Sequence, residues 1–302
     1  MKKTAMLLLA IAASLTLAFA GNSQAKNTFS KHYDFDGFTS LSVSNSFHVD
    51  FTFSDKWSVD VTVPDFIQPY LKVTCAGSKL RIRLEKLPKD VQRKLNNLSE
   101  PLQAKISMPK LLSLSLSGAC HFTAEGTQVL KDEALFIDVS GASRIHALET
   151  SGNGTLSLDI SGASGVVMTA DFNLVNVDLS GASNLDLTGN SGKMNIDCSG
   201  ASDGQIDGDV LVANVDLSGS SKLEVNGNTG KLTLDQSGAS KFNSTGETAQ
   251  ARVEVSGAAK CRLTVTESLD YEVSGASTLR VKDKGAKISG ETSRGSKLTF
   301  ER

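Results

Sequence analysis

The chain has 302 residues, 39% hydrophobic, 21% charged and 6% aromatic, with 26 Gly, 5 Pro, 4 Cys and a formal net charge of -2. That composition excludes a disordered or collagen-like chain and a disulfide-stapled miniprotein, and leaves room for one or two domains with a real core. The near-neutral total argues against a nucleic-acid binder, because neutralising phosphates needs a basic surface.

Lys2 and Lys3 precede an apolar and small-residue run from Ala5 to Ala20, followed by Gly21-Asn22-Ser23-Gln24-Ala25. This is the order of a secretory signal, predicted over residues 1–25 with cleavage after Ala20 or Ala25. The run is shorter than the ~20 residues a bilayer core requires. No Cys lies nearby to take a lipid anchor, and no later segment is apolar enough to span a membrane. The expectation is an exported chain, periplasmic or at the cell surface, with no transmembrane segment once processed.

Residues 26–110 read as an N-terminal β region. Alternation marks Leu41-Ser42-Val43, Phe47 to Phe53, Val59 to Val63 and Leu80 to Leu84, the period of a strand with one buried face. Between Pro88 and Pro101, Val91, Leu95 and Leu98 fall at i, i+4 and i+7, which predicts a short amphipathic helix near 89–99. Its expected role is to cap a stack of strands, since uncovered strand edges invite polymerisation.

From 111 to 302 the chain repeats. Ser-Gly pairs begin at Ser117, Ser140, Ser161, Ser180, Ser199, Ser218, Ser237, Ser256, Ser274 and Ser289, with five consecutive intervals of 19, most within Asp-x-Ser-Gly-Ala-Ser. Counting that Ser as position 0, apolar residues occupy -5, -3 and -1 (Leu156, Leu158, Ile160; Leu232, Leu234) and resume at +5 and +7 (Leu185, Leu187; Leu223, Val225). Each repeat therefore carries two short strands, a small-residue corner and a Gly/Asn-rich return. One such unit cannot bury its apolar face alone, but stacked coils form a continuous core. The expected fold is all-β, a single-stranded parallel β-helix with coils of about 19 residues. Coils of this length without strict hexapeptides point to the right-handed form.

The export segment, Phe38-x-x-Leu41-x-Val43, Met108-Pro109-Lys110-Leu111 and the run of Ser-Gly-Ala-Ser coils together resemble the bacterial family of autotransporter adhesins with a head GIN domain. The resemblance covers roughly residues 33–300. It implies a β-helical cell-envelope protein with an adhesin-like role, and it brings no catalytic residues. The chain departs from the pattern in having no Gly-Ile-Asn tripeptide and, with repeats running almost to Arg302, no translocator barrel.

Position -2 holds Asp138, Asp159, Asp178, Asp197, Asp216, Asp235, Glu254 and Glu272, the candidate ladder for contact or calcium. At a strand spacing of about 4.8 Å, neighbours repel by about 1 kcal/mol each even in water. The row is therefore hydrogen-bonded to the corner amides, bridged by calcium through its hard oxygens, or kept for a partner. The Gly-Gly-x-Gly-x-Asp frame of calcium-binding β-rolls is missing. The Ser at 0 and +3 read as two hydroxyl ladders flanking the acids, with Lys222, Lys241 and Lys260 stacked at +4. A serine hydrolase needs a His and an acid beside one Ser, whereas His32, His48, His121 and His146 hold no repeated position. Those Ser read as corner formers, and His121 and His146, in the first complete coils, as surface residues rather than a metal pair. Cys198 and Cys261 take inward places too far apart to bridge, which leaves Cys75 with Cys120 as the one pair within reach.

Residues 79–110 hold nine Lys/Arg against three Asp/Glu, and residues 132–274 hold twenty Asp/Glu against eight Lys/Arg. A basic cap and an acidic solenoid suit assembly into a homo-oligomer or contact with an envelope protein or glycan. The function read from these features is a non-enzymatic, adhesin-like exported protein with no cofactor unless calcium. The alternative is a β-helical lyase or glycosidase, which needs clustered acids and bases on long loops.

Overall fold

The computed structural model describes residues 28–98 and 100–301; the export segment expected over residues 1–25 lies outside them. The chain winds into a parallel β-solenoid of about 10 turns, each turn stacking in register on the one before. The strand before each corner pairs with its counterpart one coil away, as in Asp178 opposite Asp197 and Asp197 opposite Asp216. So does the strand after it, as in Leu185 opposite Gly204 and Gly204 opposite Leu223. The two strand sets form a pre-corner and a post-corner face around one core. Residues at -5, -3, -1, +5 and +7 fill it, including Leu156, Leu158, Ile160, Leu223 and Val225.

The corner is built from backbone. In Ser199-Gly200-Ala201-Ser202, the Ser199 amide donates to the Leu179 carbonyl at 2.8 Å and the Ala201 amide to the Gly181 carbonyl at 2.7 Å. Coils of 19 residues keep this pattern without interruption. The coil of 21 after Ser140 inserts its extra residues as register shifts between Ile145 and Leu148 and between Gly152 and Thr155. There Ala147, expected inward at +7, adopts φ 57° and is exposed, and Leu148 takes the buried place.

Two further expectations change. Ser289-Gly290 is no corner: it lies within the strand Lys287–Thr292. The last corner is Ser293-Arg294-Gly295-Ser296, where the Ser293 amide donates to the Val273 carbonyl at 2.9 Å. The interval from Ser274 is thus the ordinary 19. The Ser at +3 do not flank the acids at the surface. Ser143, Ser164, Ser183, Ser202, Ser221, Ser240 and Ser277 are buried, because the corner turns the chain inward by that residue.

The four upstream alternating segments are all strands. Ser40–Ser44 and Phe47–Phe53 make a complete coil, in register with Ser113–Ser117 and His121–Glu125. Outside it, Lys79–Leu84 and Leu102–Met108 add a further parallel coil. The helix Lys89–Asn96 stands in the chain where other coils have their corner. Antiparallel strands then cover this end: Leu71–Ala76 on Lys79–Leu84, Ser58–Pro64 on Leu102–Met108, and Thr28–His32 on Ser58–Pro64. Three antiparallel strands thus cover this end, and the helix takes the place of a corner with Val91 packed into the core. No helix among the described residues is long and apolar enough to cross a membrane.

Candidate functional site

Odd-numbered offsets before the corner point inward, so even ones point out, and the strand pairing turns each even position into a row along the solenoid. All eight candidate carboxylates fall into one such row: Asp138, Asp159, Asp178, Asp197, Asp216, Asp235, Glu254 and Glu272 stand opposite one another in succession. The row has a ninth member, Glu291, opposite Glu272; reading Ser289 as a corner hides it in the sequence. In the other direction Asp138 meets Ser115, Ser115 meets Ser42, and Ser42 meets Arg81. A single row therefore runs from a guanidinium through two hydroxyls to nine carboxylates.

The neighbouring row at -4 holds Phe136, Ser157, Asn176, Asn195 and Asn214. The asparagines bond to one another along the axis: Asn195 Nδ2 donates to Asn176 Oδ1 and Asn214 Nδ2 to Asn195 Oδ1, each at 2.8 Å. Phe136 breaks this polar row with an aromatic ring 56% exposed. Between the two rows runs a shallow groove of about 730 Å³, with Lys79 at its basic end and Asp216 far along it.

Burial in this groove, and then the charge of the next carboxylate along the row, hold Asp138, Asp178 and Asp216 above the usual aspartate range. The corner amides at positions 0 and +2 do not relieve the row, because they donate to carbonyls of the preceding coil. A calcium ion seated between rungs would gain carboxylate oxygens from two coils, with water completing the six to eight oxygens it takes. No three His, Cys, Asp or Glu side chains among the described residues are placed to hold a metal ion.

The remaining candidates also find their places. Lys222, Lys241 and Lys260 stack at +4 as the spacing predicts, and Lys222 reaches Asp203 at 3.3 Å and Glu224 at 3.6 Å. His48 stands opposite His121 in that same row, a kinship invisible in sequence because the first corner, Ser44-Asn45-Ser46-Phe47, has no glycine. Their ring centroids are 4.5 Å apart, and His146 lies 6.5 Å from His121. Burial first, then the charges of His48, His146 and Arg144, push the His121 imidazole below its usual range. All four cysteines are thiols, Cys75 and Cys120 included. Burial raises the thiols of Cys198, to about 12, and of Cys261, so neither acts as a nucleophile.

A family model described as "Putative auto-transporter adhesin, head GIN domain" matches residues 37–214 and 173–285. Among solved structures, a putative adhesin from Parabacteroides distasonis ATCC 8503 is 14% identical, with a TM-score of 0.49 over 92% of this chain and 98% of that one. A putative lipid binding protein from the same organism is 15% identical with a TM-score of 0.43. A putative adhesin from Parabacteroides merdae ATCC 43184 is 13% identical with a TM-score of 0.43. Both of these span the same 92% of this chain and 98% of theirs. No curated protein matches the chain.

Proposed function

The chain belongs to the family of putative auto-transporter adhesins with a head GIN domain, and from that membership we propose that it is an exported, adhesin-like protein of the cell envelope. Its pre-corner face holds an extended protein or glycan by repeated weak contacts and carries out no reaction. The observation behind this reading is the row of nine carboxylates beside the asparagine row, in register on successive coils. From Asp159 to Asp235 each carboxylate of the row has another carboxylate one coil above and below. Catalysis needs unlike groups gathered once at one place; an array suits multivalent attachment, in which each rung adds through effective concentration. The export part of this reading is supported by the signal read over residues 1–25 and by the adhesin description of the family.

The test is capture from the native envelope and a glycan array with the processed chain, followed by replacement of Asp178, Asn195, Asp197 and Asp216 by Ala one coil at a time. Graded losses of binding, each small, are the expected result. Loss of all binding on one substitution, or turnover of pectin or alginate abolished by one substitution, would overturn the proposal in favour of an enzyme.

A further inference from the structure

The two ends of the solenoid differ. One is covered by antiparallel strands. At the other, among the described residues, the strands Lys287–Thr292 and Lys297–Glu301 pair only on their inner sides, with Ser268–Val273 and Thr278–Lys282. Residues at inward positions are correspondingly uncovered there. Ile288 at -5 is 38% exposed and Phe300 at +7 is 42% exposed, whereas their counterparts one coil earlier, Leu269 and Val281, are buried. An open edge beside exposed core side chains is a template for another chain.

Both edge strands have the same self-complementary pattern. Lys287-Ile288-Ser289-Gly290-Glu291 and Lys297-Leu298-Thr299-Phe300-Glu301 each carry Lys and Glu four residues apart with an apolar residue between. An antiparallel copy of the first, centred on Ser289, sets Lys287 against Glu291 twice. A copy of the second, centred on Thr299, sets Lys297 against Glu301 twice and Leu298 against Phe300 twice. The backbone agrees with this register. The Lys297 amide donates inward to the Ser277 carbonyl and the Ser293 amide inward to the Val273 carbonyl, each at 2.9 Å. Strand alternation then turns the amides and carbonyls of Leu298 and Phe300, and of Ile288 and Gly290, to the open side, where such a copy needs them. Ser289 lies four residues before Ser293, and Thr299 three after Ser296. The two centres are thus nearly level across the core, and one two-fold axis serves both.

We propose that two copies of this protein join at these open ends, each edge strand pairing antiparallel with its own twin about a two-fold axis, and so form a closed dimer with the covered ends pointing outward. Such an isologous contact closes on itself and buries Ile288, Leu298 and Phe300.

Sedimentation velocity over a range of concentrations tests this, with melting curves confirming that each variant is folded. The wild-type chain is expected to pass from monomer to dimer and no further. Lys287→Glu sets four Glu side chains facing one another and is expected to weaken association about tenfold; adding Glu291→Lys restores it. In a Cys75→Ser background, Thr299→Cys is expected to give a disulfide-linked dimer on mild oxidation, because only a residue on the axis meets its own copy, and Lys297→Cys is not. A chain monomeric at every concentration, continued growth beyond two copies, no recovery in the Lys287→Glu/Glu291→Lys variant, or equal cross-linking at 297 and 299 would each overturn the proposal.

Discussion

The conformation of the corner accounts for most of the repeated letters. Gly181, Gly200 and Gly219 sit at φ near +70°, a region that costs an L-residue about 1–2 kcal/mol. A methyl group on Gly200 would also stand 2.6 Å from the Gly181 carbonyl oxygen, and that carbonyl is held by the Ala201 amide. The last Ser of the corner turns inward, and at some corners it bonds back: Ser221 Oγ donates to the Ser218 carbonyl at 2.8 Å and Ser240 Oγ to the Ser237 carbonyl at 2.6 Å, whereas Ser164 and Ser183 Oγ are buried without a partner among the described residues. Ser221 and Ser240 thus close the turn, and none of these serines has exposed chemistry. Gly200→Ala is expected to destabilise the protein by at least about 2 kcal/mol, and Ala201→Gly by less than about 1 kcal/mol, as read by urea unfolding. Equal losses would show that the corner tolerates a side chain at either place. The returns use a different device. Asp171, Asn190, Asp209 and Asn228 each accept, through Oδ1, the backbone amide of the residue 19 further on, at 2.7–3.0 Å.

Along a strand, the period of two decides which change is tolerated. Leu217 is buried and its neighbour Asp216 faces the groove. Leu217→Asp places an unpaired carboxylate in the core, at a cost of several kcal/mol, while Asp216→Ala leaves the packing intact. Circular dichroism melts are expected to show Leu217→Asp unfolded or strongly destabilised and Asp216→Ala close to wild type; the reverse order would break the assigned register. That register was legible in the sequence from Ser161 to Ser256, because a 19-residue coil needs one inward set and offers one corner. It was less legible where the coil departs from that length. The bulge at Ala147 shifts the inward place by one residue. At the last coil the Arg-Gly order of Ser293-Arg294-Gly295-Ser296 conceals the corner and lets Ser289-Gly290 stand in for it, which also conceals Glu291. At the first coil Asn45 and Ser46 take φ of 73° and 61° without glycine, and Asn45 Oδ1 accepts the Leu84 amide at 3.0 Å. Long-range contact of that kind leaves no local pattern. The same holds for the covering end, where Leu102–Met108 inserts between Phe47–Phe53 and Ser58–Pro64, an order that no sequence periodicity encodes.

Across the whole molecule, the pre-corner face sums these local choices into one field, cationic at Lys79 and Arg81 and anionic from Asp138 to Glu291. The pH response of stability follows from how that field is held. Asp138, Asp178 and Asp216 are kept above the ordinary aspartate value, near 3.9, by burial and then by the next carboxylate in the row. The folded chain therefore binds protons more readily than the unfolded one in the window just above that value, and stability falls as pH rises through it. Below the ordinary value both states are protonated and the gain is complete. Asp60 and Glu133 act in the opposite sense. Burial opposes the shift at Asp60, but its bonds to His32 and Ser58 prevail, and the Lys110 hydrogen bond lowers Glu133. Their contribution is lost only as pH falls through values below the ordinary carboxylate range. The histidines titrate first and in opposite senses, His32 being raised by its hydrogen bond to Asp60 and His121 lowered by burial. Acidification from about pH 5, below their ordinary range, is thus expected first to raise the melting temperature and then, in stronger acid, to lower it. Asp178→Asn with Asp216→Asn removes two of the raised groups, so this variant is expected to melt above wild type at pH 7 and to show a flatter rise on acidification. Calcium is expected to add no more than sodium chloride at equal ionic strength, since both act on the row by screening. A double variant that melts below wild type at pH 7, with the acid rise unchanged, would show that the row stabilises the fold it crosses instead of opposing it, and that the carboxylates belong to the solenoid rather than to a partner.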